Sequence, residues 1–129
     1  MQQIAQIALV VADYDEAIHF YTEKLHFTLL EDTQLSETKR WVVVAPDAAA
    51  GCKLLLAKAS SEEQQSRIGN QTGGQPAMVI YTTALEQQYQ VLKGNNVQIK
   101  TAPVLTPEYR FLHCFDLYGN EIVVVEINE

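Results

Sequence analysis

A chain of 129 residues with 47% hydrophobic and 19% charged side chains has the length and composition of one folded domain, not of a disordered polypeptide. Its 16 acidic against 9 basic residues leave a formal charge of −7 with no lysine/arginine cluster, which excludes a protein built to grip nucleic acid through its phosphates. No apolar run nears the roughly 20 residues of a bilayer span, and Met1, Gln2 and Gln3 lack the basic charge of an export signal, so a soluble cytoplasmic protein without a membrane partner is expected.

Residues 4–11 are apolar at almost every position, as in a strand covered on both faces. Asp13 then offers an N-cap, with Glu16 at capping-box spacing. Tyr14, Ala17, Ile18, Tyr21 and Leu25 form one helical stripe, and Asp15, His19, Thr22 and Glu23 take the solvent side. Strands are predicted over 27–32, 40–45 and 53–57, separated by the polar run 33–39 and the turn-rich 46–51. The polar stretch 60–74 reads as a linker with a short helical turn near 62–68.

The order then repeats. A strand over 76–81 precedes a helix over 85–93, with Leu85, Tyr89 and Leu92 on one stripe and Gly94, Asn95 and Asn96 as its stop. Strands over 97–100, 110–115 and 121–127 follow, the last two joined by a tight turn at 116–120. The fold class is α+β: βαβββ twice in a single domain, with module one at 1–59, a linker at 60–74 and module two at 75–129.

Cys52 and Cys114 form no CxxC pair, and both read as reduced, buried small hydrophobes. The net negative charge has two readings, plain solubility or a field that draws cationic ligands to a cleft.

The segment ALVVADYDEAIHFYTEKLHF resembles the opening of the vicinal oxygen chelate superfamily, the glyoxalase/bleomycin resistance/dioxygenase proteins, through Ala17, Phe20, Tyr21, Leu25 and Phe27. His26 stands where that family usually has glycine. The ending FDLYGNEIVVVE is similar to the family's closing hairpin through Asp116, Gly119, Asn120 and Ile122. The resemblance covers nearly the whole chain. It implies two βαβββ modules curled into an open, cup-shaped mixed sheet around a cleft, and a homodimer. In catalytic members it further implies a divalent metal held by His or Gln on the first strand, Glu late in module one, His on the first strand of module two, and Glu in the last strand.

Those four positions fall here on Gln6, on Lys53 (or Leu55 two residues on), on the stretch 75–77 and on Val123. Gln6 is an acceptable oxygen donor to a hard ion. A lysine ammonium cannot ligate and repels a cation, and residues 75–77 and Val123 bring at best the Gln75 amide. No cofactor is therefore expected and a divalent metal is disfavoured, with Gln6 a ligand only if a metal binds.

Gln6, Trp41, Lys53, Arg110 and His113 are the candidates to line a ligand cleft. Gln6 and Lys53 face either a polar cavity or the solvent at a strand start, and Trp41 either the cleft or the core. His19 reads as solvated and His26 as a helix-end residue favoured by the dipole. His113 reads either as a structural histidine or as a cleft-lining acid/base, the sole candidate for catalysis. The favoured reading is a metal-free, dimeric small-molecule binding protein that sequesters its ligand. Its alternatives are a glyoxalase-like lyase or isomerase acting on a small oxygenated substrate, through an atypical metal site or through His113, and a purely regulatory or structural dimer.

Overall fold

The first helix begins where the sequence places its cap. Strand β1, Gln6–Val11, ends ahead of Asp13, whose backbone stays extended and whose Oδ2 accepts the Glu16 amide at 2.9 Å. Helix α1, Tyr14–His19, runs without a break into a π-helical turn over Phe20–Lys24, in which Leu25 N–H reaches Phe20 O at 3.2 Å and Phe27 N–H reaches Tyr21 O at 2.8 Å. With this wider turn Phe20 is buried beside Tyr21, while Ile18, expected on the buried stripe, is only half-buried. Phe20 meets Tyr21 edge-on at 5.5 Å between ring centroids, and Tyr21 lies 5.3 Å from Phe27. Such pairs add about 0.5–1.5 kcal/mol each beyond their buried area. His26 closes the helix in the left-handed region at φ 61.

The structure, a computed structural model, describes residues 1–128; residue 129, the expected end of module two, lies outside them. Two compact units divide the chain, Met1–Gly69 and the part beginning at Asn70. In the first, β2 (Thr28–Gln34), β3 (Arg40–Ala45) and β4 (Lys53–Lys58) join β1 in the order β1-β4-β3-β2, with β1 and β4 parallel and the other pairs antiparallel. The second unit repeats the pattern with β5 (Met78–Thr82), β6 (Ile99–Leu105), β7 (Arg110–Phe115) and β8 (Glu121–Glu126) in the order β5-β8-β7-β6, again with the first pair parallel. Each sheet is mixed because its first strand returns through a helix and the next three follow as antiparallel neighbours. Helix α2, Glu62–Ser66, capped by the Ser61 side chain, lies inside the stretch read as a linker, and α3 spans Leu85–Gly94.

Strand β6 differs most from expectation: it was read as 97–100 and runs over Ile99–Leu105, with register shifts against β7. Pro103 is accommodated within it because β6 is the edge of its sheet, where a residue without N–H costs no ladder bond.

In the first unit Val42, Val44, Leu56, Leu9 and Val11 are buried in register on one face, with α1 packed against β3 and β4. Arg40 ties helix to sheet. Its amide donates to the Tyr14 hydroxyl at 3.2 Å, its guanidinium forks onto Asp32 at 3.1 and 2.7 Å and reaches Asp15 at 2.9 Å, and it lies 5.2 Å over the Tyr14 ring. Its hydrogen bonds hold the Asp32 carboxyl below the usual range.

In the second unit α3 ends at Asn96 (φ 60), with Val97 N–H on Leu92 O at 2.9 Å and Asn96 N–H on Lys93 O at 3.0 Å, the paired bonds of a Schellman stop. The turn before β8 is organised by buried Asp116, whose Oδ1 accepts the Tyr118 and Asn120 amides at 2.9 Å each and whose Oδ2 accepts the Asn120 side chain at 2.8 Å. Gly119, at φ 92, supplies the positive φ this turn requires. Cys114 is buried as expected; Cys52 is not, because it precedes β4 in an exposed turn. Among the described residues no helix is long and apolar enough to cross a membrane.

Candidate functional site

Strand alternation decides which side chains share a face. In the first unit Arg40, Val42 and Val44 turn toward α1, so Trp41 and Val43 point to the other face of β3. Val43 is the register partner of Leu55, which puts Lys53, Leu55 and Ala57 on that second face, and Gln6 is the register partner of Lys53. Gln6, Lys53 and Trp41 thus stand on one face of one sheet. They do not form a single cluster: Lys53 opens β4, and Trp41 lies toward its far end, roughly 13 Å along at the usual rise per residue.

A cleft of about 690 Å³ opens at the Trp41 end. The cleft takes side chains from both faces of the sheet, with Trp41, Leu55 and Ala57 as apolar lining on one and Tyr14 and Leu56 on the α1 side. The turn carrying Ser36, Thr38 and Lys39 forms one bank, and Lys58, Ser60 and Gln64 form the other. Ser36 Oγ accepts the Thr38 and Lys39 amides at 3.3 and 3.1 Å, which fixes the first bank. Gln64 Oε1 accepts the Ser60 amide and hydroxyl at 2.8 and 3.0 Å, which fixes the second. Both banks come from segments read in the sequence only as polar breaks.

In the second unit His113, Phe111 and Phe115 share one face of β7 with Val123, Val125 and Glu121 of β8. Arg110 is on the opposite face, where its Nε donates to Glu126 at 2.9 Å, so it does not stand with His113. His113 Nδ1 is 2.6 Å from Glu121 Oε2, and the Phe111 ring meets the imidazole edge-on at 5.5 Å. The other Glu121 oxygen accepts Lys100 Nζ at 2.7 Å. Lys100 first, and His113 second, hold the Glu121 carboxyl below the ordinary value. An ionised carboxylate only accepts, so Nδ1 carries the hydrogen of this contact. Glu121 was missed in the sequence, although it lies two residues before Val123 and period-two alternation puts both on one face.

Residues 3–124 match the Glyoxalase/Bleomycin resistance protein/Dioxygenase superfamily, and the chain belongs to it. It is 43% identical over 130 residues to an uncharacterised protein of Shewanella frigidimarina, covering 99% of this chain and 96% of that one. The fold is similar to the crystal structure of UcmS2, with a TM-score of 0.83 at 24% identity over 97% of this chain and 98% of that one. It is also similar to TnmS3, an antibiotic binding protein from Streptomyces sp. CB03234, with a TM-score of 0.78 at 24% identity over 99% of this chain and 98% of that one.

The four positions where the superfamily resemblance implies metal ligands do not fit a divalent ion here. The Gln6 amide has the Lys53 ammonium as its neighbour across the strand pair, and Val123, on the His113 face, is apolar. Neither oxygen of Glu121 is free, since one is held by Lys100 and the other by His113. Among the described residues no three His, Cys, Asp or Glu side chains gather as a ligand set.

Proposed function

We propose that this chain is a small-molecule binding protein that captures its ligand in the cleft beside Trp41, without a metal and without transforming it, as a cytoplasmic homodimer. The cleft carries the reading: its volume of about 690 Å³ lies within the range of small-molecule sites, and an apolar wall faces fixed polar groups on two banks. The chemistry at the implied metal positions, a Gln6 amide beside Lys53 and an apolar Val123, supports the metal-free part, and the antibiotic binding described for TnmS3 accords with capture. Trp41 is the chain's single tryptophan, so its fluorescence reports the cleft directly. A ligand should shift that emission and be recovered chemically unchanged, and Trp41→Phe should weaken it about tenfold through lost stacking area. A ligand that binds the wild type and Trp41→Phe equally well would remove the cleft from the mechanism. Sedimentation velocity tests the dimer, and elemental analysis after exposure to nickel, zinc, manganese and iron(II) tests the absence of a metal.

One observation favours a second reading, a glyoxalase-like lyase or isomerase. The 2.6 Å contact between Glu121 and His113 Nδ1 fixes the imidazole and leaves its other nitrogen, Nε2, for acid/base work. Turnover of a small oxygenated substrate that disappears in His113→Gln, with the fold intact, would establish this reading over capture.

A further inference from the structure

We propose that the cleft beside Trp41 selects an anion, a flat ring bearing a carboxylate; this rests on the cleft being the ligand site. Its described lining contains Lys39, Arg40 and Lys58 and no Asp or Glu, on a chain whose net charge is −7. Arg40 is already committed to Asp15 and Asp32, whereas Lys39 and Lys58 form no ion pair among the described residues. Two acceptors on the banks are already engaged. Ser36 Oγ takes two amides, and Gln64 Oε1 takes the amide and hydroxyl of Ser60. The donors left for a ligand include two ammonium groups, the Gln64 NH₂, the Ser36 hydroxyl hydrogen and the Trp41 indole N–H.

A carboxylate only accepts and matches the two ammonium groups, whereas a cation is repelled by them and meets no Asp or Glu in the described lining. The field of the whole chain opposes an anion, but at cellular ionic strength it is screened within about 8 Å, so groups in contact decide. The ring is matched by Trp41, Leu55 and Ala57, apolar side chains that line the same space.

The test uses three ligands of one shape, naphthoate, naphthamide and naphthylmethylammonium, followed by the NMR resonance of the single indole N–H. Naphthoate is expected to bind roughly tenfold more tightly than the amide, with the cation weakest. The double variant Lys39→Gln/Lys58→Gln, at two exposed positions, should bring naphthoate to within about threefold of the amide while the amide keeps its affinity. If the amide or the cation binds as tightly as naphthoate, or the double variant leaves naphthoate unchanged, the anion preference is overturned and the cleft reading survives. If none of the three moves the indole resonance, both are overturned.

Discussion

His113 and Glu121 are joined across β7 and β8 by a 2.6 Å contact between Nδ1 and a carboxylate oxygen, and the carboxylate's other oxygen holds Lys100. Both partners favour the ionised carboxylate, so Glu121 has a lower pKa in the fold than in the unfolded chain, and Asp32 is shifted the same way by Arg40. Their contribution to stability is present above the unfolded value of about 4.3 or below, and is lost as pH falls through the folded value. Urea midpoints measured between pH 3 and 7 should therefore decline on the acid side for the wild type and decline less for Glu121→Gln. An identical acid slope in the two proteins would show that Glu121 is not a source of it.

His26 and Asn96 hold matching positions in the two units, each just past a helix and each at positive φ, 61 and 60. A left-handed residue with a Cβ costs about 1–2 kcal/mol, partly offset by the extra chain entropy glycine loses on folding. His26→Gly is expected to stabilise the protein by about 0.5–1 kcal/mol, read as a higher urea midpoint at unchanged slope. His26→Ala, which keeps the Cβ, should give no such gain. Asparagine tolerates this conformation better, so Asn96→Gly should gain less.

The local signals were legible because their chemistry is local. The Asp13 cap, the tight turn at 116–120 and the bounds of β3 and β7 each depend on residues within one element, and all appear as read. The π-helical turn was not legible, since Ile18 and Phe20 both fit an apolar stripe and packing against Tyr21 decides between them. The full length of β6 was not legible, since its place at the sheet edge, which tolerates Pro103, is set by topology and not by local residues. Of the cleft candidates, Arg110 and His113 are three residues apart in one strand, an odd offset that places them on opposite faces. The two banks around Trp41 lie at or beyond the strand ends and become a site only when the chain brings residues 36–39 and 58–64 together.

Asp116 satisfies three donors from one buried position, which makes it the least replaceable polar residue of the second unit. Asp116→Ala leaves the Asn120 amide without its acceptor in a buried turn. The expected loss is about 2–3 kcal/mol, seen as a fall in Tm. Asp116→Asn retains acceptor geometry at Oδ1 and should lose less than the alanine variant. A Tm unchanged in Asp116→Ala would mean that the turn holds through its backbone bonds alone.

The two cysteines should separate cleanly by reactivity. Cys52 is exposed in the turn before β4, whereas Cys114 is buried in β7 and its thiol is pushed up to about 11 by burial, with Asp116 adding to the effect. At pH 8 a thiol of that pKa is ionised only about once in a thousand, and its access is blocked as well. A colorimetric disulfide reagent is therefore expected to titrate one thiol in the native protein and two after denaturation. Cys52→Ser should abolish the fast native reaction and Cys114→Ser should leave it intact. Replacing Cys114 removes buried volume from a strand whose neighbours Leu112, Ile122 and Val124 are also buried, so that variant should lose about 1 kcal/mol while Cys52→Ser loses none. Fast reaction of both thiols in the folded protein would show that the sheet opens locally around β7, since neither exposure nor ionisation of Cys114 permits it otherwise.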